Sequence, residues 1–254
     1  MLIKIHDNIQ KGIEKIFFKG KSTLWSKRIT YIIVNVFLMV VLFYLILNTI
    51  LYNWTGSLYP EGTGYRLDFI FFGLDDLIPF VPEMVIFYLF LFYPMVIISM
   101  IFFAFMESEK GVALSWALVI INAISIIIYI FFPVSTYWYR QELLAHKIRG
   151  NFWADQVYNI YHIDTSFNCF PSLHASISTI IFYTWYRYYK IKPHVITKTI
   201  AITTFIIATG VILSTLFIKQ HYIIDEIAGI LLAYFAGKYI ISYFWEKNEK
   251  QELG

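Results

Sequence analysis

The chain has 254 residues, 59% hydrophobic and only 15% charged, a balance too apolar for an ordinary water-soluble domain. Its 20 Lys and Arg against 17 Asp and Glu leave a net charge of +3, dispersed along the chain, which argues against nucleic acid as a partner. Cys169 is the single cysteine, so no internal disulfide can form, and the 12 glycines and 7 prolines are too few for a collagen-like or low-complexity chain.

Residues 1–30 mix Ile3, Ile5, Ile9, Ile13 and Phe17 with several lysines, a pattern that predicts a helix lying among lipid headgroups, with a solvated basic tail as the alternative. The segment lacks a compact apolar stretch followed by a small-residue cleavage site, so no cleavable signal peptide is evident. Crossing about 30 Å of hydrocarbon takes about 20 apolar residues. Six windows qualify: 31–51, 82–106, 112–132, 171–189, 199–218 and 222–245. The expected fold is all-α and polytopic. A cytoplasmic amphipathic segment (1–30) precedes a six-helix membrane domain (31–245) and a cytoplasmic tail (246–254), with no internal repeat. Pro94 should kink the second span. Asp225 and Glu226 enter the last span in its first turn, where carboxylates suit the helix dipole.

Basic residues near span ends are retained on the cytoplasmic side. With the N-terminus inside, 15 Lys and Arg fall inside and five outside: Arg66, Arg140, Lys147, Arg149 and Lys219. Both termini are then cytoplasmic in a cell-membrane protein. The long connections 52–81 and 133–170 face outward.

This topology gathers three polar stretches at the outer surface: the chain leaving span three, the start of span four, and the junction of spans five and six. Span four opens with Pro171-Ser172-Leu173-His174. Free backbone N–H groups at that helix start, with the Ser172 hydroxyl, make an anion site, and His174 lies within the first turn. At the second junction, His221 and Asp225 are four apart and share a helix face, so the carboxylate can hold one imidazole nitrogen and leave the other free to attack phosphorus. A second histidine on the opposite side can protonate the departing oxygen, and opposite protonation demands imply a bell-shaped pH dependence. No metal or other cofactor is needed if basic side chains and helix N-termini neutralise the phosphate. Each element alone has a structural explanation, as a cap or a surface pair. Their convergence on one face favours catalysis.

These residues resemble the type 2 phosphatidic acid phosphatase superfamily of membrane phosphatases and phosphotransferases. Its middle motif, Pro-Ser-Gly-His, corresponds to Pro171-Ser172-Leu173-His174, and its last, Ser-Arg-x5-His-x3-Asp, to Ser214, His221 and Asp225, with Thr215 where Arg is usual. The resemblance covers roughly residues 80–245. It implies a six-helix core with the site at one membrane face, His221 as the nucleophile forming a phosphohistidine, His174 as the acid for the leaving group, and Asp225 as the orienting carboxylate. The first motif, Lys-x6-Arg-Pro, is not intact: Arg140 is the best matching Arg, but Pro133 takes the Lys position and Gln141 follows, while Arg149 is a second option. The expected phosphate-binding set is Ser172, Arg140, Lys219, Ser214 and Arg149, with Lys147 a further compensating charge. Leu173, the Lys219-Gln220-His221-Tyr222 run and the stretch 76–82 resemble the inositol phosphorylceramide synthase branch, which includes transferases.

Asp75, Asp76 and Glu83 are expected to cap loops, with acceptor recognition or cation binding as the alternative. Cys169 is expected to be a packed thiol, and His146 and His162 to lie in the outer loop. The expected activity is hydrolysis of a lipid phosphomonoester or diphosphate through a phosphohistidine. The alternatives are a lipid phosphotransferase using an alcohol acceptor, and a non-catalytic lipid-binding or flippase-like protein. The partners are a lipid phosphate and membrane lipids; which lipid, and the oligomeric state, are left open.

Overall fold

A computed structural model describes residues 8–9, 11–13, 15–16, 23–145 and 150–246. Within them the chain is helical, with one isolated backbone bridge, Tyr65 to Val134. The helices are α1 (Leu24–Gly56), a short α2 (Leu74–Leu77), α3 (Pro82–Met106), α4 (Ser108–Phe131), α5 (Tyr137–Ala145), α6 (Phe152–Ile163), α7 (Leu173–Ile191), α8 (Val195–Phe217) and α9 (Ile223–Glu246). Of the first 30 residues, those described before α1 are helical, Ile13 packs against the core, and Thr23 caps α1 by accepting from the Ser26 N–H at 3.1 Å. The rest of that segment, and 247–254 of the tail, lie outside the described residues.

Among the described residues, five helices, α1, α3, α4, α8 and α9, are long and apolar enough to cross a membrane. The fourth window forms α7, which has 19 residues but is more polar than those five. α7 packs against α3, α4, α8 and α9. Its buried hydroxyls turn back onto their own helix: Ser176 to the Ser172 carbonyl and Thr184 to the Ile180 carbonyl, both at 2.7 Å. That satisfies them without water. Within α3, Pro94 is preceded by a widened stretch, Ile86–Leu91, with the Phe92 N–H donating five residues back to Phe87. Such a turn absorbs a helix distortion locally.

The core is built of aromatic and branched side chains from α1, α3, α4, α7 and α9, with the Phe103 ring in contact with both Trp185 and Trp245 near one end of the bundle. The same end is tied by Lys192 to Glu107 at 2.5 Å, Arg187 to Glu246 at 3.1 Å, and the Trp245 indole to the Lys110 carbonyl at 3.1 Å. At the opposite end, the Tyr129 hydroxyl donates to the Pro171 carbonyl and the Tyr222 hydroxyl to the Ser135 carbonyl, both at 2.8 Å. The end of α4 and the starts of α7 and α9 therefore meet in one place.

Gly229 sets how closely α7 and α9 approach. A Cβ there would stand 2.5 Å from the Ser172 carbonyl oxygen and 3.0 Å from the Ala175 Cβ, and a backbone oxygen cannot swing aside. Gly229→Val is expected to destabilise the fold by about 1–3 kcal/mol, read as a lowered melting midpoint in detergent with activity lost in parallel. Gly12→Ala, where nothing lies within 4 Å, should change neither.

Candidate active site

Three chain reversals build the site. Ser172 caps α7: its hydroxyl accepts from the Ala175 N–H at 3.2 Å, and its own N–H donates to the Asp225 carbonyl at 3.0 Å, tying the start of α7 to the first turn of α9. α8 ends where the Ile218 and Gln220 N–H groups return to the Ser214 and Thr215 carbonyls, both at 2.8 Å, and Lys219 takes a left-handed backbone (φ 53°) that turns the chain. α9 is then started by two carboxylates. Asp225 accepts from the Tyr222 N–H at 2.9 Å, and Asp75 accepts from the Ile223 N–H at 2.8 Å. Asp75 is thus a cap, as the sequence suggested.

These reversals bring the His174 and His221 rings to 5.9 Å between centres, inclined at 60°. Asp225 Oδ2 lies 3.5 Å from His221 Nδ1, longer than a hydrogen bond, and that nitrogen has no other hydrogen-bond partner. His221 is 7% exposed and Asp225 fully buried. Burial lowers the His221 pKa to about 4, against the pull of Asp164, so the ring is neutral at ordinary pH, the state a nucleophile needs. The His174 ring lies against Tyr88, 4.3 Å between centres, and Phe92, 5.1 Å, both tilted to it.

Arg140 comes to the same place from α5. It is 4% exposed, donates to the Asp164 carbonyl at 2.8 Å and to the Gln220 side chain, and lies 5.2 Å over the Tyr161 ring. Its charge acts on His221, and its Nε is unpartnered. Ser214 is buried and bonded within its own helix to the Val211 carbonyl at 2.7 Å. Lys219 is directed elsewhere. Its ammonium donates to the Asp75 carbonyl at 2.6 Å and lies 4.8 Å over the Tyr139 ring, so it reaches a phosphate only by leaving both. Arg149, Lys147 and His146 lie outside the described residues.

The sequence did not point to three further groups. Glu226 is buried and takes hydrogen bonds from Thr215, at 2.8 Å, and from Ser172; it fills the space beside the position where the family motif has Arg. Gln220 holds Arg140, and Asp164 holds Arg140 by its carbonyl and the Tyr52 and Tyr88 hydroxyls by its carboxylate. Their partners are 24 to 112 residues away in sequence, so no local spacing could reveal them.

Two recesses open here, one beside His174 and one beside Arg140. One, about 270 Å³, is lined by His174, Tyr52, Tyr88, Phe92 and Asp164; the other, about 310 Å³ and polar, by Arg140, Gln141, His162, Ser166 and Asn53. Donor atoms of Cys169, His221 and Asp225 lie within 4.8 Å of one another, close enough to suit a metal ion. The thiol does not fit that role: it points to the Ser166 and Gln220 carbonyls at 3.3 and 3.7 Å, and burial pushes its pKa up, away from the thiolate that binds metal.

Two imidazoles, a buried carboxyl group beside one of them and a buried guanidinium thus meet at one end of an all-helical membrane protein. The PAP2 superfamily model matches residues 78–238, well over half of the chain, and the chain belongs to that superfamily. No curated protein and no solved structure matches it. Membership makes it a lipid phosphate enzyme of the phosphatase or phosphotransferase type.

Proposed function

We propose that the chain is an integral-membrane lipid phosphate phosphatase that transfers a phosphoryl group to water through His221. The observation that carries this reading is the pair of imidazoles with ring centres 5.9 Å apart and Asp225 behind one of them, which puts two nitrogen bases beside one small space. The free His221 nitrogen attacks phosphorus, the bond from phosphorus to the lipid oxygen breaks, and that oxygen takes the proton of His174. Water then gives a proton to His174 as its oxygen attacks the phosphohistidine, the P–N bond breaks, and phosphate leaves. Arg140 and the N–H groups at the start of α7 balance the negative charge.

The site lies at the end of the bundle opposite Arg187, Lys192 and Lys110, which supports an extracytoplasmic site, cytoplasmic termini and α7 as a sixth span in a cell membrane. The polar 310 Å³ recess beside Arg140 favours a second reading, a phosphotransferase whose acceptor alcohol sits there, as in the inositol phosphorylceramide synthase branch.

Incubation of the purified protein with a lipid phosphomonoester is expected to release free phosphate at a rate unchanged by EDTA. Activity abolished by EDTA and restored by a divalent ion would contradict the metal-free mechanism. A product carrying the phosphoryl group on an added polyol, with little free phosphate, would favour the transferase.

A further inference from the structure

We propose that Asp164 is a positioning residue that holds His174 in its protonated, donating state. The proposal rests on the preceding reading, in which His174 protonates the leaving oxygen. An imidazolium against the Tyr88 and Phe92 rings is costly, because aromatic walls replace the water that would stabilise its charge. Something must offset that cost. The groups facing His174 are Tyr52 from α1, Tyr88 and Tyr93 from α3, His221 from the turn before α9, and Asp164 from the end of α6. Arg140, from α5, adds a positive charge beside Asp164. Among the described residues lining the 270 Å³ recess, Asp164 is the one carboxylate.

Asp164 is held firmly enough to act. Its N–H closes α6 on the Ile160 carbonyl at 2.8 Å, and its carbonyl takes the Arg140 guanidinium at 2.8 Å. One carboxylate oxygen accepts from Tyr52 at 3.1 Å and the other from Tyr88 at 3.3 Å. Because the Tyr88 ring also lies 4.3 Å from the His174 ring, one side chain fixes the carboxylate and imidazole relative to each other. The Asp164 charge acts on both histidines. Asp225 stands behind His221 alone, so His221 faces two carboxylates and His174 one.

The test compares an alkyl lipid phosphate, whose leaving oxygen needs a proton, with 4-nitrophenyl phosphate, whose leaving oxygen does not. Asp164→Asn is expected to lower kcat on the lipid phosphate by at least about 10-fold, with KM little changed, and on the aryl phosphate by no more than about 3-fold. The alkaline limb of the kcat profile should move to lower pH, since losing the charge makes His174 give up its proton sooner. Asp164→Glu should restore that limb. In a His174→Asn background, Asp164→Asn should add no more than about 3-fold, the part that runs through His221, because the rest of its effect needs the missing ring. Equal losses on both substrates with an unmoved pH profile, or full additivity in the double variant, would overturn the proposal, as would unchanged kinetics. If the wild type hydrolyses neither substrate, or His221→Ala keeps turning over, the reading of the site has failed and Asp164 falls with it.

Discussion

His221→Ala is expected to lower phosphate release from a lipid phosphate by at least about 10³-fold while leaving the protein folded. The argument for a large effect is covalent: without the imidazole the phosphohistidine cannot form, and water must attack phosphorus directly. The argument for retained structure is local. His221 Nδ1 makes no hydrogen bond, and the turn is held by backbone bonds from Gln220 and His221 to the Thr215 carbonyl, at 2.8 and 3.3 Å, which alanine keeps. Phosphate release and the melting midpoint in detergent, measured on the same preparation, separate the two effects. Residual activity within about 10-fold of wild type would remove His221 from the chemistry.

Asp225→Asn is expected to be nearly as damaging, by about 10²–10⁴-fold in kcat, with substrate binding little altered. Asparagine keeps the size and an oxygen for the Tyr222 N–H, so the start of α9 survives. What it loses is the acid whose Oδ2 stands 3.5 Å from His221 Nδ1; when ionised, that group draws the ring proton to Nδ1 and stabilises the ring as it bonds to phosphorus. A steady-state comparison of kcat and KM checks this. A variant with raised KM and unchanged kcat would mean that Asp225 supports binding and not the transfer.

Much of the bundle could be read from hydropathy, because lipid imposes apolar surface on every helix it touches, as in α1, α3, α4, α8 and α9. α7 shows the limit of that signal: its buried Ser and Thr hydroxyls bond back to their own helix, so it packs among four others without being apolar enough to stand out. His174, His221 and Asp225 were legible because motif spacing maps onto helix starts, and Arg140 because it follows α4 closely. The direction of Lys219 was not legible, since it depends on the left-handed turn at 219 and on Asp75, 144 residues away. Glu226 was read as a helix-dipole residue, yet it binds the hydroxyl of the Thr that replaces the family's Arg. Asp164 carried no motif at all; only the folded chain brings it beside Tyr52, Tyr88 and Arg140.

The most direct measurement is capture of the covalent intermediate. The purified protein would be mixed briefly with lipid phosphate labelled at phosphorus, quenched in base, and digested for mapping. The account predicts an acid-labile, base-stable phosphoryl group on the peptide containing His221, present in wild type and absent from His221→Ala. Steady turnover in wild type with no label on that peptide under the same quench, or equal label in the alanine variant, would contradict it.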